Sequence, residues 1–223
     1  MRNVFFKIYK AVRGASVESG GHRDLSSGFL SDGIRETVVR ECVSAPGLLL
    51  EVGCGEGIFL SQLSNQYQGL LFGIERVHNM MIRAKRRFLK KSRKEPTVLS
   101  AKGEQLPFKN EAFDCVVCVN TFHNQPSMAD VGSILKDMAR VCKTGGRVIF
   151  DIRNSSNPIM FLAYKFANLY DPSCKVLPLN TYSFSRIARV LRTLGFSVEK
   201  KTPVLFPFVL LAPAIVIKAG KRK

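Results

Sequence analysis

Leu48-Leu49-Leu50-Glu51-Val52-Gly53-Cys54-Gly55-Glu56-Gly57 decides the fold. An apolar run ends at an acidic residue, turns through three glycines in five positions, and opens into Ile58-Phe59-Leu60-Ser61-Gln62-Leu63. That order reads as a buried strand, a tight turn and a helix. Glycine suits such a turn because a side chain would block a ligand or forbid the backbone angles. In open α/β sheets, ligands sit beyond the carboxyl ends of the strands, near the first βα turn. The G-x-G-x-x-G/A spacing of dinucleotide folds is not met. Gly53 and Gly55 fit it, but Ile58 takes the third place and the third glycine is Gly57.

Outward from this stretch, β-like and α-like segments alternate. Strands are expected at 48–52, at 70–74 closing on Glu75, and at 97–100, 113–119, 147–151, 196–201 and 215–219. Helices are expected at 34–43, 58–66, 79–92, 128–142, 158–169 and 183–194, with a turn at 143–146. Alternation of this kind argues for a parallel, doubly wound sheet. Residues 1–13 suggest a short helix with aromatic and basic faces, and 14–33 an irregular lead-in.

The 223 residues suffice for one α/β domain, and 46% hydrophobic content argues against disorder. The net charge of +17 favours anionic partners such as phosphates, lipid headgroups or acidic substrates. Cys115 and Cys118 have C-x-x-C spacing inside a strand, where an offset of three puts them on opposite faces. Buried, reduced cysteines are therefore expected, in keeping with a cytoplasmic protein, and no metal site. No signal peptide is visible. The longest apolar stretch, 204–217, is interrupted by Pro207 and Pro213 and is too short to span a bilayer.

Glu75 closes the second strand, where an acidic side chain can accept hydrogen bonds from both ribose hydroxyls of a nucleoside. Further on come Lys102-Gly103-Glu104-Gln105-Leu106-Pro107-Phe108, then Phe113-Asp114 before a strand ending in Asn120-Thr121-Phe122-His123-Asn124. A helix then runs into Gly145-Gly146 before another strand. In order and spacing, residues 47–152 resemble class I S-adenosylmethionine (SAM) methyltransferases of the type 11 group. The resemblance implies a Rossmann-like α/β fold, with a seven-stranded sheet of order 3-2-1-4-5-7-6, strand seven antiparallel and helices on both faces. It implies SAM as cofactor, with Glu51, Gly53, Cys54 and Gly55 around its amino-acid portion and Gly57 also among the cofactor-binding residues. Glu75 would hold the ribose, with Arg76 and Met80 flanking the adenine. Glu104, Gln105 and Leu106 would form the adenine edge, and Asn120 would lie beside the reactive methyl. Asp114 reads as structural.

Two departures from the family pattern stand out. Lys102 occupies a position that is often acidic in the family. A frequent His-His pair appears here as His123-Asn124, leaving His123 as the candidate base. Methyl transfer from a sulfonium chiefly needs a near-attack geometry, and a base helps only a protonated nucleophile.

Eight cations fall within residues 83–94, on a helix expected to be either a solvated face or a dock for RNA or an anionic surface. Lys218, Lys221, Arg222 and Lys223 read as a basic tail. The whole chain reads as a single methyltransferase domain, 1–223, with 1–33 as lead-in and 154–182 as a substrate cap. Aromatic and aliphatic residues in that insert and in 204–217 favour a lipophilic or anionic small-molecule acceptor. The rivals are an RNA or ribosome-associated methyltransferase and a SAM-binding partner without catalysis.

Overall fold

A computed structural model of the chain describes residues 28–43, 47–91, 95–169 and 178–222. It also describes the backbone of Glu18–Ser19 and His22–Arg23, which pair antiparallel. One sheet contains seven strands: β1 Leu48–Val52, β2 Leu70–Glu75, β3 Thr97–Ser100, β4 Phe113–Cys118, β5 Cys142–Arg153, β6 Phe196–Val204 and β7 Ala214–Lys221. Their order is β3-β2-β1-β4-β5-β7-β6. Strands β1 to β5 are mutually parallel, and β7 is antiparallel to both of its neighbours. This is the sheet that the resemblance implied.

The described helices are α1 Phe29–Val43, α2 Ile58–Ser64, α3 His78–Lys91, α4 Met128–Val141, α5 Pro158–Lys165 and α6 Phe184–Thr193. Side chains alternate across the pleat, so each strand feeds two cores. Val116, Phe150 and Ile217 pack with Met138 of α4 and Leu191 of α6. Val117, Ile149 and Val216 face the other way, onto Val38 of α1, Leu60 of α2 and Phe88 of α3. The two cysteines of the C-x-x-C spacing divide as their offset requires, with Cys118 in the first core and Cys115 in the second. All five described cysteines are buried and free. Helix starts are capped where side chains permit: Ser127 accepts from the Asp130 amide, and Asn157 from the Met160 amide just after Pro158.

Three expectations are corrected. Helix α1 begins at Phe29 rather than Ile34, because Leu30 and Ile34, one turn apart, are both buried in the second core. Part of the supposed lead-in is therefore helix. The 143–146 turn lies inside β5 as a bulge: Phe113 faces Cys142, yet Cys115 already faces Arg147. Lys143 pairs with Asp114 at 2.7 Å across it, and Gly145 supplies a φ of 75°. Lys218 and Lys221 form no tail but belong to β7. Lys218 pairs with Glu41 at 3.2 Å, and Lys221 donates to the Cys142 carbonyl at 2.7 Å. Expectations for residues 1–17, Arg93, Lys94, Tyr170, Cys174 and Lys223 fall outside the described residues. Among the described residues, no helix is long and apolar enough to cross a membrane.

Candidate active site

A cavity of about 420 Å³ opens at the carboxyl ends of β1, β2 and β4. The loop after β1 forms its floor. Gly53, Gly55 and Gly57 all take left-handed backbone angles, with φ of 78°, 52° and 70°. Two of them also face close neighbours: a Cβ on Gly53 would lie 2.6 Å from Thr121 Oγ1, and one on Gly57 2.6 Å from the Phe88 ring. Gly55 differs. A Cβ there would meet nothing within 4 Å, so this glycine leaves open space on the cavity wall.

Glu75 clamps that loop. One carboxylate oxygen accepts the Gly55 amide at 2.9 Å and the other the Val77 amide at 2.7 Å. A carboxylate oxygen has more than one acceptor position, so each keeps room for a further donor. Glu51 sits deeper, only 2% exposed, and its Oε2 has no hydrogen-bond partner. Burial holds its carboxyl well above the ordinary carboxylate range; Arg35 pulls the other way and Glu75 adds to the rise. The native protein therefore binds a proton that the unfolded chain releases. Stability should accordingly fall as pH rises from the ordinary value of 4.5 through the raised one. Glu51→Gln should flatten that slope in urea midpoints taken across a pH series; an unchanged slope would refute this account of Glu51.

Four groups on or behind this wall were not legible in the sequence. Arg35 of α1 lines the cavity while only 3% exposed, and it bonds to Asp32. Asp151 and Arg153, at the end of β5, form a buried pair at 2.6 Å. Asn120 completes that cluster at a φ of 53°. Its amide donates to Asp151 at 2.6 Å, its side-chain oxygen accepts from Arg153 at 2.9 Å, and its side-chain nitrogen donates to the Ser31 carbonyl at 3.2 Å. Glu56, 3% exposed, binds Arg83 at 2.6 Å, and its carbonyl accepts from Arg87 at 3.0 Å. Two cations of the basic helix thus buttress the glycine loop, while Lys85, Arg86 and Lys90 remain exposed.

Of the residues named from sequence, Glu51, Gly53, Cys54, Gly55, Glu75, Arg76, Met80, Glu104 and Asn120 line the cavity. Gly57, Gln105, Leu106 and His123 do not. Gly57 packs against α3, as above. Lys102 and Gln105 close a small turn, with the Gln105 amide on the Lys102 carbonyl at 3.1 Å. The Leu106 amide and carbonyl are taken by Asp137 and Arg140 of α4. The His123 ring lies 6.3 Å from that of Tyr164, while its neighbours Asn124 and Gln125 reach the cavity. Asp114 is structural: it accepts the Leu48 amide at 2.8 Å, joining β4 to β1.

Sheet order and glycine cradle together define the class: this is a class I SAM-dependent methyltransferase. Residues 50–150 match the family model described as "Methyltransferase domain". It is 31% identical to the demethylmenaquinone methyltransferase of Lactococcus lactis, over 77% of this chain and 64% of that one. It is 30% identical to the phosphatidylethanolamine N-methyltransferase of Cereibacter sphaeroides, over 56% and 60%. The chain thus spans less than two thirds of either relative. In fold it is similar to the magnesium protoporphyrin IX methyltransferase of Synechocystis with bound S-adenosylhomocysteine. That match has a TM-score of 0.69 at 16% identity and covers 99% of this chain and 94% of that one.

The residues present suit SAM. The open cradle at Gly55 would admit the methionine portion, the unsatisfied Glu51 oxygen would suit an ammonium, and Glu75 retains acceptor capacity that two hydroxyls could use.

Proposed function

We propose that this methyltransferase acts on a lipophilic small molecule. The buried Glu51 carboxyl behind an open glycine cradle is the observation that carries cofactor placement. When bound, SAM supplies an electrophilic methyl on sulfur. The chain's part is to hold and orient. Glu51 would take the cofactor's ammonium and Arg35, the buried cation on the same wall, its carboxylate. Glu75 would take the ribose hydroxyls, and Arg76, Met80 and Glu104 would border the adenine. Asn120, fixed by Asp151 and Arg153, would border the reacting centre and exclude water from it. Gly53, Cys54 and Gly57 would shape the loop, with Gln105 and Leu106 behind the adenine edge. In-line attack then needs alignment more than acid–base help. His123 would accept a proton only from a hydroxyl acceptor that reaches past Asn124.

The lipophilic acceptor is supported by the composition of the 154–182 insert and by relatives named for quinone and phospholipid substrates. Within this reading residues 1–223 act as one unit, with the insert as its cap. An RNA acceptor has weaker support, since Arg83 and Arg87 are engaged by Glu56. The test is transfer of labelled methyl from SAM into fractionated cell extract, with and without nuclease. Label extracted into organic solvent and resistant to nuclease is expected. Nuclease-sensitive label would replace this reading with the RNA one. Absence of label despite measured SAM binding would overturn it.

A further inference from the structure

The chain ends of β5 and β6 and the start of β7 lie together, since Arg153 and Val204 both pair with Ala214. This is the edge of the sheet on which the cavity opens. The loop between β6 and β7 carries Phe206, Phe208, Leu210 and Leu211, which are 41% to 66% exposed. The loop is fastened from below. The Asn154 carboxamide donates to the carbonyls of Val209, Leu210 and Ala212 at 2.9, 3.1 and 3.0 Å, and that of Asn157 to the Leu211 carbonyl. Four of its carbonyls are thereby satisfied inward while its apolar side chains stand exposed.

Helix α5, joined to this loop through Asn157, is apolar on its exposed face as well as its buried one. Met160 and Tyr164 are buried, whereas Ile159, Phe161 and Leu162 are 42% to 60% exposed. Phe29, 70% exposed, stands one helical turn before Gly33, which abuts Leu205 on the loop's other side. Single exposed apolar residues are ordinary, but three adjoining segments of them are not. Residues 158–169 and 205–213 contain no acidic side chain, and their one charge is Lys165, poised 5.7 Å above the Phe161 ring.

We propose that this edge docks on the interface of an anionic lipid bilayer, with Phe206, Phe208 and Leu210 inserted among the headgroups. Aromatic and aliphatic tips supply the inserted apolar area, while Lys165 and the net charge of +17 supply attraction to anionic lipid. The cavity mouth would then face the phase in which a lipophilic acceptor resides, so the biological purpose of the dock rests on the proposed acceptor class. Docking itself does not.

The test is co-sedimentation of the full chain with vesicles of phosphatidylcholine plus phosphatidylglycerol and with phosphatidylcholine alone. Preferential binding to the anionic vesicles is expected. Combined Phe206→Ser, Phe208→Ser and Leu210→Ser should lower it about tenfold or more, with SAM affinity unchanged. Because the chain has no tryptophan, Phe208→Trp adds a sole indole reporter that tests insertion without truncating the patch. Its emission should shift to the blue on anionic vesicles. No shift, or loss of binding on neutralising Lys85, Arg86 and Lys90 instead, would overturn the proposal. So would a dimer in sedimentation velocity that the serine variant dissolves, with no vesicle binding. Vesicle binding without organic-phase methylation would sink only the acceptor class; methylation in detergent without vesicle binding would sink only the dock.

Discussion

Arg153→Ala is expected to destabilise the fold by about 3–5 kcal/mol, the usual result of breaking a buried ion pair from one side. Asp151 and Arg153 are 1% and 2% exposed, so neither has water to fall back on. The guanidinium reaches Asp151, Asn120 and the Tyr164 hydroxyl, the last at 3.2 Å. Burial already lifts the Asp151 carboxyl above its ordinary value against the pull of Arg153. Without Arg153 the carboxylate would be stranded, and three partners would lose a donor. Removing both charges with Asp151→Asn and Arg153→Met should cost less than the sum of the single changes, because no stranded charge remains. Urea denaturation of the three variants measures this. A single-variant loss below about 1 kcal/mol, the level of an exposed pair, would show that the cluster is solvated.

Glu75→Ala and Gly55→Val are expected to give the largest losses of SAM affinity, by different routes. Glu75→Ala removes the proposed acceptors for two hydroxyls and frees the Gly55 and Val77 amides that the carboxylate orders. At about 1.5–3 kcal/mol per charge-assisted bond, a hundredfold or greater loss follows. Gly55→Val places a β-branched residue at a φ of 52°, costing about 1–2 kcal/mol in backbone strain, and fills the open cradle. Calorimetric titration with SAM measures both, with unfolding midpoints as the control. Affinity within a few-fold of the parent, in folded variants, would remove the cofactor from this cavity.

How much of this was legible in the sequence depends on the range of the interaction. The strand, glycine turn and helix at 48–63 are local, and their residues appear in the chain as they do in the fold. Glu75 was legible because its distance from the loop is set by one βαβ unit. Arg35 was not, since among Glu36 and Arg40 it looks like one more charge on a solvated helix. Only the packing of α1 against α2 and strands β5, β6 and β7 carries it inward. Nor was the Asn120–Asp151–Arg153 cluster, in which Asn120 stands 31 and 33 positions from its two partners and meets them only once β4 and β5 are paired. The bulge at 143–146 carries the residues of a turn, and only its pairing with β4 extends the strand through it. Glu56 shows the converse: eight cations in twelve residues suggested a single surface, yet two of them, Arg83 and Arg87, pair with a carboxylate 27 and 31 positions away.

The insert after β5 leaves and rejoins the sheet at one place. Asn154 bridges Tyr182 in parallel, the Tyr182 amide returns to the Arg153 carbonyl at 2.8 Å, and the Ser155 amide to the Tyr182 carbonyl at 3.2 Å. A segment with its two ends tied together can change in length without pulling on β5, so long as Met160 and Tyr164 keep their places in the second core. The entropic penalty of added length grows only logarithmically. In the proposed reading this segment is the cap, so changes in its length or exposed side chains would alter what the enzyme accepts and leave the glycine cradle on the other side of Asn120 as it was.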